Sequence, residues 1–326
     1  MNCADWRISV APMMEWTDRH CRYFHRMLSP HARLYTEMVT AAALLHGKRG
    51  YLLRHSAFER PVALQLGGAE PEELAQAARY GAEAGYAEIN LNVGCPSDRV
   101  QMGRFGACLM REPALVADCV SAMREAVPLP VTVKCRIGVD EQDDYADLQR
   151  FTEHMVGAGV GTLVVHARKA WLQGLSPREN REIPPLNYAR VYQLKKDFPQ
   201  LCIVINGGIV CEQTTLEHLQ QVDGVMIGRA AYHDPYVLAR VEHAVYGEPL
   251  PDRDDILRRM LPYIENELER GTALKHITRH LLGLYQGLPG ARGFRRVLSE
   301  QAHREKAGIE VILAALEQRD ALRAAA

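Results

Sequence analysis

Eight short, β-branched apolar runs alternate with longer amphipathic segments from the start of the chain to about residue 245. The runs are Ile8–Pro12, Arg33–Thr36, Val62–Leu66, Ala87–Asn92, Val131–Arg136, Thr162–His166, Cys202–Asn206 and Gly224–Ile227. The segments between them include Pro71–Ala84, Pro113–Ala126 and Asp144–Gly157. Strict strand–helix alternation requires a parallel sheet, and eight strands are the number that closes into a barrel. A doubly wound open sheet would carry a glycine-rich phosphate turn after its first strand; here that turn is Ala11–Glu15 (APMME). The fold expected is therefore α/β: a (β/α)8 TIM barrel followed by an all-helical C-terminal domain.

The linker segment 246–254 carries two prolines and a glycine, which interrupt helix formation. It divides an expected barrel domain, 1–245, from a helical domain, 246–326. Beyond it, Ile256–Arg270, Thr272–Gln286 and Phe294–Ala326 read as helices, with a break at Gly287–Gly290.

Charge and cysteine usage narrow the function classes. The formal net charge is −1, so bulk charge does not mark a nucleic-acid binder. Between Arg270 and Arg304, however, seven basic residues face one acid, Glu300. That stretch suits either phosphate contacts or a solvated helix face. The eight cysteines include no C-x-x-C pair, so neither a zinc site nor any other metal centre is expected. No apolar run reaches membrane-spanning length and the N-terminus lacks a signal-peptide layout, which points to a reduced cytoplasmic protein without a membrane partner. No obligate protein partner is evident.

The active site of a barrel lies where its strands end at the C-terminal edge. Polar residues recur there at period two within otherwise apolar strands: Gln65 on the third, Glu88, Asn90 and Asn92 on the fourth, Lys134 and Arg136 on the fifth, His166 and Arg168 on the sixth. Buried polar groups are costly unless they meet a ligand or one another. Four strands converging on one rim therefore indicate a site. Strands seven and eight add Asn206, Gly207, Gly208 and then Gly228 and Arg229 at the usual phosphate position of such barrels. A phosphate-bearing ligand with Lys134 and His166 at its head group suits flavin mononucleotide, because a cation near the ring stabilises its anionic reduced form.

At these residues the chain resembles the tRNA-dihydrouridine synthases, and closely their bacterial A-type subfamily. The stretches that match are Val10–Tyr23 (VAPMMEWTDRHCRY), Leu34–Met38 (LYTEM), Asn90–Gln101 (NLNVGCPSDRVQ), Val133–Lys134, His166–Trp171 (HARKAW), Asn206–Gly208 and Gly290–Arg296 (GARGFRR). The likeness runs nearly end to end. It implies an FMN barrel that takes hydride from NADPH, a C-terminal tRNA-binding domain, and uridines 20 and 20a of the D-loop as targets. It also implies that Pro12, Met13, Met14, Gln65, Lys134, His166, Asn206, Gly207, Gly208, Gly228 and Arg229 hold the flavin.

The chemistry that such a substrate needs can be reasoned separately. The C5–C6 bond of uracil is conjugated to the C4 carbonyl, so hydride adds at C6 and the resulting enolate needs a proton at C5. A thiol with a reference pKa near ~8.5 stays mostly protonated at neutral pH and is a competent acid. Cys95, between Gly94 and Pro96 on the loop after strand four, is the candidate catalytic donor. Asn90 is expected at the flavin or the base, and Asn92 at the tRNA. The insertion after strand six, with Arg168, Lys169, Trp171, Arg178 and Arg181, and the C-terminal Arg292 and Arg295 are the expected backbone contacts. The main alternative is a small-molecule flavin barrel of the dihydroorotate-dehydrogenase kind, which leaves the basic C-terminal region without a role.

Overall fold

The computed structural model describes residues 3–324. Its eight barrel strands are β1 (Ile8–Val10), β2 (Leu34–Tyr35), β3 (Val62–Gly67), β4 (Glu88–Val93), β5 (Val131–Arg136), β6 (Thr162–His166), β7 (Cys202–Asn206) and β8 (Gly224–Ile227). Consecutive strands from β2 to β8 pair in parallel, and β8 pairs in parallel with β1. The ring closes between β1 and β2 through Arg33, whose N–H donates to Ile8 O at 2.9 Å and whose carbonyl accepts from Val10 N at 3.0 Å. A two-residue strand, Val39–Thr40, pairs beside the end of β3.

Every residue of β3, β4, β7 and β8 is buried, as expected when helices cover a parallel sheet on its outer face. The covering helices start where the sequence supplies a stop for the preceding loop. Pro71 and Pro113 open the helices Pro71–Glu83 and Pro113–Ala126, at the position where proline's missing N–H costs nothing. Gly81 lets the first of these lie close on the barrel, since a Cβ there would meet Leu64 and Ile89 at 2.7 Å.

The chain divides into two compact units. The barrel unit holds residues 3–15, 32–209 and 213–228, and the helical unit holds 16–31, 210–212 and 229–324. Residues 229–245, read with the barrel from sequence, are thus grouped with the helical unit, as is Arg19–Leu28.

Within the helical unit, Asp18 caps Arg19–Leu28 by accepting from His20 N and Cys21 N, and its second oxygen meets His280 at 3.1 Å. Asp252 caps Arg253–Glu269 in the same way, and Gly247, at φ +75°, ends Val237–Tyr246. Two expectations differ here. Only Leu274–Thr278 of the segment 272–286 is an α-helix, and Gly283 lies with its Cα against the His233 carbonyl, an approach that any Cβ would block at 2.5 Å. The final helix is split into Ala291–Gln301 and Glu310–Ala324, with Lys306 at φ +61° between them. Gly293 brings these two together, because a Cβ there would sit 2.5 Å from Leu322. Among the described residues no helix is long and apolar enough to cross a membrane.

Candidate active site

The inward face of β4 begins with a carboxylate that the barrel satisfies completely. Glu88 accepts from Trp6 Nε1 at 2.7 Å, from the Tyr35 hydroxyl at 2.9 Å and from the Thr132 hydroxyl, and Arg33 lies 3.3 Å away as its counter-charge. Burial pushes its carboxyl above the ordinary range, and Arg33 opposes that shift most strongly.

From Glu88 a ladder of side chains climbs towards the rim. Thr132 accepts from Asn90 Nδ2 at 2.8 Å; Asn90 Oδ1 accepts from Gln65 Nε2 at 2.8 Å; Gln65 Oε1 accepts from Asn92 Nδ2 at 2.9 Å. At the top, Asn92 Oδ1 accepts from Gly94 N at 3.1 Å and Cys95 N at 3.0 Å. Each rung is buried, so each must be paired, and the pairing sets the backbone of the loop that bears Cys95.

That loop is tied on its other sides as well. Cys95 O accepts from Ala107 N at 2.8 Å, and Gly106, at φ +79°, has no room for a Cβ beside the same carbonyl. Arg136 donates to Gly94 O, Lys169 O and Asn180 O, each at 2.9 Å, and so binds the cysteine loop to the insertion after β6. Gln101 repeats the link, donating to Pro96 O and Leu172 O. The Cys95 side chain stays partly accessible, its Sγ 3.5 Å from Ser97 Oγ.

The rim is strongly cationic. Lys134 donates to Asn206 Oδ1 at 3.3 Å, and burial followed by Arg136 lowers its pKa to about 8. The His166 imidazole is pushed well below its ordinary value, first by burial and then by Arg136, Lys134, Arg168 and Arg181. Arg136 itself falls to about 10 through burial and repulsion from Arg181 and Arg168. At neutral pH, His166 is a neutral donor–acceptor inside a ring of positive charge. Such a ring favours an anion.

The loops after β7 and β8 make different use of glycine. Gly207, at φ +111°, leaves no space for a Cβ, which would meet His166 Cδ2 at 2.6 Å, and Gly208, at φ +72°, lies equally close to the Tyr188 hydroxyl. Gly228 has neither constraint: a Cβ there would meet only Ala11 Cβ at 3.9 Å and Asn206 Nδ2 at 4.0 Å. Among the described residues, nothing crowds position 228 enough to require glycine.

The other sequence-derived candidates fall into place unevenly. Pro12 follows β1, Met13 packs on the apolar floor beside it, and Met14 is 57% exposed. Arg229 opens a five-residue helix in the helical unit. Of the insertion's cations, Lys169 is bound to Asp143 at 3.0 Å and stacked over Trp171, and Arg168 donates to the backbone carbonyls of Glu182 and Pro184. Arg178 and Arg181 are exposed, with Arg178 3.7 Å from Glu182. Arg292 is exposed in the helical unit, and Arg295 donates to Gln286 Oε1. Thr132, Gln101 and Asn180 were not singled out from sequence, because their partners are distant backbone and side-chain groups.

Fold and rim together define a (β/α)8-barrel enzyme with a cationic mouth and an accessible thiol on the loop after β4. The family profile described as dihydrouridine synthase matches residues 9–325, and the chain belongs to that family of oxidoreductases. It is 61% identical over 314 residues to the tRNA-dihydrouridine(20/20a) synthase of Xanthomonas campestris pv. campestris, covering 96% of this chain and 94% of that protein. It is 59% identical over 310 residues to the like-named protein of Shewanella oneidensis (94% and 92% covered) and 58% identical over 313 residues to that of Vibrio cholerae (95% of each).

Proposed function

We propose that this enzyme reduces the C5–C6 bond of uridines 20 and 20a in the tRNA D-loop to dihydrouridine, with FMN in the barrel mouth and NADPH as reductant. The observation that carries the reading is the Cys95 thiol, held by Asn92 on a rim crowded with cations. The relatives' shared name supports the substrate.

The residues present fit a flavin phosphate. No described residue crowds Gly228, and a close backbone approach to phosphate oxygens is a reason for glycine there. Gln65, Asn206, Lys134 and His166 supply the polar groups for the ring, Pro12, Met13 and Met14 its apolar contact, and Gly207, Gly208 and Arg229 further phosphate contacts. When bound, FMN supplies the hydride that adds to uracil C6. Lys134, protonated at neutral pH, holds positive charge in the mouth, and Cys95 gives its proton to C5 of the resulting enolate. Asn92, taken from sequence as a tRNA contact, also holds the Cys95 loop, its Oδ1 accepting from Gly94 N and Cys95 N.

A uridine reaches this site only when turned out of the stack, at a cost of a few kcal/mol. Offsetting contacts come from Arg178 and Arg181 on the barrel's insertion and from Arg292 and Arg295 in the region 246–326, which serves as the tRNA-binding domain beside a catalytic region 1–245. Alanine at Arg178, Arg292 and Arg295 should weaken tRNA binding and lower the slope of log K against log salt by roughly 0.7–0.9 for each phosphate no longer neutralised. Flavin content should not change. Filter binding across a salt series measures the first and absorbance the second; loss of flavin would assign these arginines to the fold. Abundant free cysteine suits a cytoplasmic setting.

The reading is tested by the cofactor released on heating, expected to be FMN rather than FAD, and by NADPH-dependent dihydrouridine formation in unmodified tRNA. Gly228→Ala refines that test. The apoprotein should keep its stability to within about 1 kcal/mol, because the Cβ meets ordinary contacts. FMN affinity should fall about 10–100-fold, the worth of one charge-assisted phosphate contact. Unchanged affinity would remove Gly228 from the phosphate site.

A further inference from the structure

At the end of the barrel unit where the strands begin, three ligating groups from separate parts of the chain converge. Cys3 Sγ, Cys202 Sγ and a carboxylate oxygen of Asp223 all lie within 4.8 Å of one another. Cys3 opens the 3₁₀ turn Cys3–Trp6, Cys202 is the first residue of β7, and Asp223 immediately precedes β8. We infer that these three groups form a binding site for a soft divalent cation of the Zn2+ type, which pins the N-terminal turn to the barrel floor.

The donor set fits such an ion. Two thiolates and one carboxylate are ligands that zinc takes at about 2.3 Å and about 2.0–2.2 Å, placing two sulfurs roughly 3.8 Å apart in a tetrahedron. Closing the observed group onto a metal therefore needs movements of at most about 1 Å. Water completes the four-fold shell, because Cys3 and Asp223 are only partly buried. Asp223 is also oriented as metal-binding carboxylates are: its Oδ2 accepts from Ile203 N at 2.8 Å and pairs with Lys195 Nζ at 2.7 Å. The charge sum is favourable. One Zn2+ with two thiolates and a carboxylate leaves a net −1, and Lys195 stands beside it as the balancing cation.

The two sulfurs already touch as thiols, and the Thr162 hydroxyl adds a hydrogen bond to Cys202. Binding replaces the two S–H protons by the metal and releases both to solvent, so affinity rises with pH. The lack of a C-x-x-C pair, which made a metal site unexpected from sequence, does not bear on ligands that only the closed barrel brings together. The site is remote from the Cys95 rim in the order of each strand, so its role is structural.

The test uses the purified full chain, with the metal alone as probe. Zinc analysis after exhaustive dialysis should show one retained equivalent, and Co2+ should give thiolate-to-cobalt charge-transfer absorption in the difference spectrum. Cys3→Ser, at a half-exposed position, should lower Zn2+ affinity beyond the ~10–100-fold that outer-shell partners are worth, and Asp223→Asn should lower it as well. The thermal midpoint should rise with free Zn2+ in the parent chain and stay fixed in Cys3→Ser. Absence of the cobalt–thiolate absorption, or equal zinc affinity in Cys3→Ser, overturns the site. A thiol count two below eight in the denatured, unreduced protein also overturns it, assigning Cys3 and Cys202 to a disulfide.

Discussion

Replacing Cys95 with alanine is expected to slow dihydrouridine formation about 10²–10⁴-fold, the usual worth of a general acid, with fold and flavin content intact. The loop does not depend on the side chain. Its shape is held by backbone bonds from Gly94 N and Cys95 N to Asn92, from Ala107 N to Cys95 O, and from Arg136 to Gly94 O. Among the described residues the sulfur makes one hydrogen bond, a long one of 3.5 Å to Ser97 Oγ. Removing it leaves no cavity of consequence, because the side chain is partly accessible. Lys134, His166 and the glycine loops are untouched, so cofactor binding and its reduction by NADPH should proceed normally. On the proposed mechanism the variant lacks the proton for C5, and without it the enolate returns to uracil. Serine at 95 should rescue little, being a far weaker acid than a thiol. Single-turnover mixing of pre-reduced enzyme with unmodified tRNA reads the rate directly. A parent-like rate in Cys95→Ala would make the thiol a packing group and send the search to another acid.

The barrel was legible in the sequence because buried parallel strands read as short, mostly apolar runs, and each of the eight runs coincides with a strand, even those such as 87–92 that carry the polar rim residues. The helical unit was less so. A helical composition continues through 279–286 and 302–309, where Gly283 packs against the remote His233 carbonyl and Lys306 turns the chain at φ +61°. The site divides in the same way. Cys95, Lys134 and His166 could be found because rim position and period two expose them. Arg136 could be seen on the rim, but its ties to Lys169 O and Asn180 O could not, since those acceptors are backbone groups far along the chain. Lys169, expected among the RNA contacts, is paired with the Asp143 side chain, a partner from a different loop that sequence order does not reveal.

The largest stability effect should come from the foot of the ladder. Glu88→Leu leaves Trp6 Nε1, the Tyr35 hydroxyl and the Thr132 hydroxyl without their acceptor and Arg33 without its counter-charge, all in a buried setting. Breaking one side of a buried pair costs about 3–5 kcal/mol, a large part of the ~5–15 kcal/mol that holds a typical domain together. Arg33 contributes most of this, because among the described residues its guanidinium keeps only the Asp5 carbonyl and the Trp6 ring as partners. Glu88→Leu combined with Arg33→Met should therefore recover much of the loss, since apolar replacement of a whole buried pair is often near neutral. Equilibrium denaturation of the two single variants and the double variant measures that coupling. The double variant also separates stability from chemistry. It still removes the acceptor for Thr132, which frees the lowest rung below Asn90, Gln65 and Asn92, so dihydrouridine formation should stay below the parent rate after stability returns. Additive losses in the cycle would mean that Arg33 and Glu88 act independently. A recovered fold with a fully recovered rate would mean that the Cys95 loop is set by Asn92, Arg136 and Gln101 alone.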